Sequence, residues 1–186
     1  MTRYLNWALA LLAVLTLAAC GGDGDKSGSG APEPSSRTLA ATLKGDNTFG
    51  TLEQTLTSAG LTDVLEGTGP YTVFAPADAA FTAAGSDADF TTEAMRAPAA
   101  ALLRAHIVPG AVTRADIGAA IDASGTGTIQ MRTMADTLLS FTRDGTTIVV
   151  TAPDGASAHL TGTEDLATNG VIQPIDALLI TPAPTA

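Results

Sequence analysis

Large apolar residues follow three successive patterns along this chain. They run together from Ala8 to Ala18, are missing between Gly21 and Ser36, and return with regular spacing from about Thr38 to Thr181. In the first half of that last stretch the spacing is helical. Phe49, Leu52, Leu56 and Ala59 share one helical face behind the capping candidates Asn47 and Thr48, and Gly60 is placed to end the helix. A short helical turn over Leu61–Leu65 follows. The Gly67-Thr-Gly-Pro70 turn then feeds Tyr71-Thr-Val-Phe-Ala-Pro76, a run of β-formers stopped by proline that predicts a buried strand. Asp78 is expected to cap a short helix carrying Phe81. A longer helix starting near Pro98 sets Ala99, Leu102, Leu103 and His106 on one face and ends at Ile107-Val-Pro-Gly110.

Beyond a small helix at Ala115–Ile121 the period changes from helical to alternating. Thr128–Met134, Thr137–Thr142, Thr146–Thr151 and Ser157–Thr161 are predicted strands, with Asp144-Gly145 and Asp154-Gly155 as hairpin turns. The stretch from Gly170 to Ile180 is a last buried strand, with Pro174 at a bend or an edge. Helices first and strands afterwards, without βαβ alternation, predict an α+β fold in one domain over 38–181, followed by a tail at 182–186.

The two earlier patterns describe delivery. Arg3 precedes an apolar run too short to span a bilayer, and Leu17-Ala18-Ala19-Cys20 resembles a bacterial lipoprotein cleavage box. Residues 1–19 are therefore read as an export signal. Cys20 becomes the lipid-bearing first residue, with palmitate among the expected acyl chains, and 20–37 becomes a Gly/Ser/Pro linker. Cys20 is the one cysteine of the chain, so no internal disulfide can form and the fold rests on packing. Within the linker, Asp23-Gly-Asp25-Lys-Ser27 imitates the start of a calcium loop, but Pro34 stands where the last ligand belongs; a solvated linker is the simpler reading.

Composition narrows the function further. Of 186 residues 45% are hydrophobic and 15% charged, which is globular rather than disordered. The net charge of −10 repels phosphate backbones, so no nucleic-acid partner is expected. Catalytic candidates are sparse: the histidines are His106 and His159, and neither a metal-ligand spacing nor a phosphate loop is present. Gly155-Ala-Ser157-Ala-His159 is a poor match to a hydrolase elbow, because histidine replaces the second glycine and the context is a hairpin. His106 on an apolar face reads as a core histidine bonded to backbone, and Asp78 and Asp176 as backbone-bonding carboxylates. No cofactor and no metal site are expected.

Two segments, YTVFAPADAAF (71–81) and NGVIQPIDALLI (169–180), resemble the two signature segments of fasciclin-like domains. Between them RAHIVPG (104–110) is similar to that family's central helix-to-loop segment, and the stretch from Met131 through Leu139 to the strand entry that follows it. The resemblance implies that Phe74, Pro76, Asp78 and Phe81 build one core strand and its turn. It implies likewise that Asn169, Gly170, Val171, Ile172 and Asp176 build the other, with His106, Pro109 and Gly110 between. Two departures stand out: Ala105 precedes His106 where members often have Tyr-His, and Gln173 takes the place of a histidine. Glu164-Asp165 stands where some animal members carry an integrin-associated Asp-Ile pair, so integrin binding is not implied.

The family resemblance and the scarcity of catalytic groups point the same way. They imply a non-catalytic module, anchored to a bacterial membrane through Cys20, exposed at the outer membrane or cell surface, and used in adhesion or in contacts with an unidentified surface, matrix or envelope partner. The alternative is a periplasmic binder of a small apolar ligand; an enzyme of unrecognised mechanism comes last.

Overall fold

A computed structural model of the chain describes residues 35–85, 90 and 92–179. The export segment, Cys20, the linker up to residue 34 and the tail lie outside the described residues. Six helices and eight strands are described: α1 (Leu39–Lys44), α2 (Gly50–Ala59), α3 (Thr62–Glu66), β1 (Tyr71–Pro76), α4 (Asp78–Ala83), α5 (Arg96–Ala105), β2 (Ile107–Pro109), α6 (Arg114–Ala123), β3 (Thr128–Arg132), β4 (Leu138–Asp144), β5 (Thr147–Thr151), β6 (Ser157–His159), β7 (Asp165–Ala167) and β8 (Gly170–Ile175). The fold is α+β, with helices in the N-terminal half and most strands in the C-terminal half.

The strands form two sheets of different character. Sheet 1 has the order β2-β1-β8-β7, and its centre is the parallel pair β1–β8, which runs from Tyr71 against Gly170 to Pro76 against Ile175. Sheet 2 is an antiparallel meander, β3-β4-β5-β6. Sheet 1 lies between two cores. Val73, Ala75 and Ile172 face a helical core with Leu39, Leu52, Leu65 and Leu103, while Phe74 and Ile175 face a second core with Ile117, Leu139, Phe141 and Val150. At the centre of the second core the rings of Phe74 and Phe141 meet across the sheets, with centroids 5.2 Å apart.

Local chemistry explains the helix ends. Gly60 adopts φ 69 and closes α2 with a left-handed cap, and Thr113 and Asp116 form a reciprocal capping box at the start of α6. The hydroxyl and backbone N–H of Thr113 also hold the exposed Asp116 carboxyl below its ordinary range.

Several details depart from the sequence reading. Asn47–Phe49 is a separate 3-10 turn capped by Asp46, so α2 starts only at Gly50. α5 begins at Arg96, which puts Pro98 at its third residue rather than its first. Ile107–Pro109, read as a helix terminator, is an edge strand paired antiparallel with β1. β7 was not expected from the pattern; three residues are too few to show alternation. Ser35–Arg37, assigned by composition to the linker, lie along β7, with Ser35 N–H donating to the Leu166 carbonyl at 2.7 Å and Thr168 N–H to that of Arg37 at 2.9 Å. The last strand ends at Ile175. Pro174 sits in an inner strand beyond the reach of β7, which pairs only with Gly170–Ile172; there the 160–161 segment takes over, with Thr161 N–H donating to the Pro174 carbonyl at 2.9 Å and Leu160 bridging Ile175.

Candidate functional site

The family-motif residues fall on the elements around β1 and β8, and their polar side chains are spent on backbone groups. Asn169 is the densest case. Its Oδ1 accepts from Leu39 N–H at 2.8 Å, and its Nδ2 donates to the carbonyls of Leu65 at 2.8 Å and Gly67 at 2.6 Å. One side chain thereby ties the start of α1 and the end of α3 to β8. Gly170, next to it, has no room for a side chain, since a Cβ there would sit 2.0 Å from the Tyr71 carbonyl oxygen.

His106 does similar work at the end of α5. It is buried, its Nδ1 lies 2.8 Å from the Leu102 carbonyl, and its Nε2 accepts from Leu179 N–H at 2.9 Å. A carbonyl only accepts and an N–H only donates, so the proton sits on Nδ1 and the ring is neutral. Burial pushes its pKa down to about 4, and the bond to Leu102 opposes that only in part.

Asp78 is the first residue of α4 but caps a different helix. Its Oδ1 accepts from Thr51 N–H at 2.7 Å, satisfying the start of α2, where Phe49 has no side-chain cap to offer. The expectation that Asp78 caps its own helix is thus corrected: Ala77 stands at that cap position, and the carboxylate reaches across instead. Asp176 accepts from His159 backbone N–H at 2.7 Å and pairs with His159 Nδ1 at 2.9 Å, both side chains remaining half exposed. Ser157 lies two residues from His159 within a strand, not on the strand-to-helix turn that a hydrolase elbow requires.

Gln173, in the place of the family's histidine, is fully buried and joins a network. Its Nε2 donates to Glu164 Oε2 at 2.6 Å, its Oε1 accepts from Arg114, and Arg114 also donates to the carbonyls of Thr161 and Gly162. Burial pulls the Arg114 pKa down, countered by Glu164. These polar groups hold β8, the start of α6 and the 161–164 loop together. Near β7, Asp165 has its carboxyl raised by burial and by Asp46. Among the described residues no group of His, Cys, Asp and Glu could hold a metal ion.

Two surface features remain. A groove of about 560 Å³ runs between α1, α2 and α3, flanked by Lys44, Glu53, Asp63 and Glu66. Its leucines, Leu43 and Leu56, are already packed in the core, so it offers an apolar ligand little fresh surface. The second feature is the outer face of sheet 2. The register aligns Gln130, Ser140, Thr151 and Ser157 in one row, and Thr128, Thr142, Val149 and His159 in the next. Neither row holds an Asp, Glu, Lys or Arg. At one end, between the β3–β4 turn and the β5–β6 loop, lies a shallow trough of about 460 Å³ lined by Gln130, Arg132, Asp136, Leu138, Ser140 and Pro153. Alternation along the strands marks their outward residues but does not reveal this trough, whose lining comes from separate segments. The signal was the Arg132–Asp136 pair bracketing a turn, followed by an outward Leu138.

Comparison with known proteins agrees with this geometry. The fasciclin domain model matches residues 47–181, and the chain belongs to that family. The chain is 30% identical to the Synechocystis protein sll1483 over 83% of its own length and 79% of that protein. It is 29% identical to transforming growth factor-beta-induced protein ig-h3 of Sus scrofa over 81% of its length, which is 20% of that longer protein. In structure it is similar to a FAS1 domain pair of the insect cell adhesion molecule fasciclin I, with a TM-score of 0.67 over 77% of this chain and 51% of that one, at 18% identity. Fasciclin domains are generally non-enzymatic adhesion or binding modules and are typically extracellular. Among the described residues no helix is long and apolar enough to cross a membrane.

Proposed function

We propose that this protein is a lipid-anchored, extracytoplasmic binding module that makes adhesive, envelope or matrix contacts and performs no catalysis. The observation that carries this reading is the use of the motif's polar side chains. Asn169, His106 and Asp78 end on backbone groups, so the parts of the chain richest in signature residues serve architecture. Catalysis needs titratable groups that converge on one open cleft, whereas the perturbed groups His106, Arg114 and Asp165 sit at separate places. Contact is left to the open face of sheet 2.

The anchor is Cys20, through diacylglycerol and further acylation; two or three chains hold a protein on a membrane where one does not. The Gly/Ser/Pro linker behind it gives the domain reach. Protease shaving of intact cells, combined with fractionation of a Cys20→Ala variant, tests both halves. Degradation of the wild type beside an intact periplasmic control, and release of the variant from membranes, are the expected results. Protection of the wild type contradicts surface exposure, and membrane retention of the variant contradicts the lipid anchor.

A further inference from the structure

Leu138, at 38%, is the exposed large hydrophobic residue among those described, and it lies in the trough at the end of sheet 2. A lone exposed leucine is ordinary. What sets this one apart is its surroundings: the Gln130 amide on the neighbouring β3, the Ser140 hydroxyl two residues along its own strand, the Arg132 guanidinium and Asp136 carboxylate at the turn, and Pro153 opposite. An apolar patch ringed by planar groups that both donate and accept is complementary to a sugar ring, which is apolar on its C–H faces and carries hydroxyls at its rim. Resting on the reading of the domain as a binding module, we propose that this trough is a subsite for an uncharged saccharide.

The polar groups are held in place and keep bonding capacity to spare. Gln130 Nε2 donates to Ser140 Oγ at 3.1 Å, which fixes the amide while leaving its Oε1 and second N–H open. Arg132 Nη1 pairs with Asp136 Oδ1, leaving further guanidinium N–H groups and the second carboxylate oxygen for vicinal hydroxyls. Asp136 is also the one described non-glycine residue with positive φ, at 61°. The turn thus fixes the carboxylate beside Arg132 before any ligand arrives, which lowers the ordering cost of binding.

Charge selects the ligand class. Arg132 and Asp136 cancel, so the trough is neutral within a chain of net charge −10. An anionic sugar meets both that field and the Asp136 carboxylate, and a cationic ligand finds a better place in the acidic groove between α1 and α3. The row Gln130, Ser140, Thr151, Ser157 continues from the trough across four strands, a span of about 14 Å at the usual strand spacing. That length suits a short oligosaccharide more than a single ring. With no Phe, Tyr or Trp in these rows to stack on, each contact is weak, and many copies tethered on one surface would gain by avidity.

Calorimetric titration of the full-length protein in detergent with cellotetraose, mannotetraose and chitotetraose, and with tetragalacturonate as the anionic control, tests the proposal. At least one neutral tetraose is expected to bind. Gln130→Ala and Asp136→Gly, the latter keeping the left-handed backbone that Asp136 adopts, should each weaken it about tenfold without lowering the melting temperature, while Glu53→Ala in the distant groove leaves it unchanged. Absence of binding by every neutral tetraose, preference for the anionic one, or full affinity in both trough variants overturns the subsite. Binding of the same preparations to isolated cell envelopes separates the two claims. Envelope binding without saccharide binding removes the subsite and leaves the binding module standing, whereas loss of both removes the broader reading as well.

Discussion

The two sheets of this domain solve opposite problems. Sheet 1 is covered on both faces, carries the family's signature segments, and engages polar side chains with neighbouring elements, Thr72 on the Gly110 carbonyl and Gln173 with Glu164 and Arg114. Sheet 2 buries only its inner face, through Leu139, Phe141, Ile148 and Val150, and presents hydroxyls, an amide and one leucine outward. A sheet sandwiched between two cores is constrained residue by residue, because each side chain must fill a fixed volume or satisfy a fixed bond. An open face is constrained only to stay soluble and strand-compatible. The segments by which the family is recognised are therefore segments of folding, and binding is to be sought where the signature is silent.

The sharpest way to break this contrast is to cut into the covered sheet. Phe74→Ala removes the ring that meets Phe141 at the heart of the second core and should cost about 4 kcal/mol in denaturant unfolding. A loss below about 1 kcal/mol would place Phe74 outside the core.

Acid is the next probe. The unfolded chain protonates His106 near its ordinary 6.5, while the folded ring resists until about 4. Protons therefore favour the unfolded state across that window. Stability is full above 6.5 and declines as pH falls to about 4, by about 3 kcal/mol in all. Urea unfolding at a series of pH values should show this slope in the wild type and lose it in His106→Gln; equal slopes would contradict the buried neutral ring.

Asp78→Ala should cost about 1 kcal/mol by leaving the first turn of α2 without its partner from α4. Because the bond crosses between elements, hydrogen exchange should rise at Thr51 rather than within α4. At the small end, Thr142→Ala on the outer face should change stability by less than about 0.5 kcal/mol. A large loss there would mean that the face is covered.

Much of this contrast was legible in the amino-acid sequence. The buried run from Tyr71 to Pro76, the alternation of the four meander strands and the two Asp-Gly turns are local signals, and each element forms where its pattern lies. What stayed hidden depends on partners far along the chain. β1 and β8 pair across about a hundred residues, and β2 and β7 are strands only because an edge of that pair is there to receive them. Local spacing assigns Asp78 to its own helix because a sequence shows neighbours and not Thr51 across the fold. The trough escaped for the same reason: Gln130, Leu138 and Pro153 lie on three different segments, and only the register brings them together.

The central claim is that architecture and contact are divided between the two sheets. The most direct test compares the adhesion of cells carrying the full-length protein with Leu138→Asp on the open face against cells carrying Asp176→Asn in the signature segment, with melting measured on both proteins. The division predicts that Leu138→Asp melts like the wild type and loses adhesion, while Asp176→Asn melts lower and adheres for as long as it stays folded. Undiminished adhesion in Leu138→Asp, with adhesion lost in a fully stable Asp176→Asn, would contradict it.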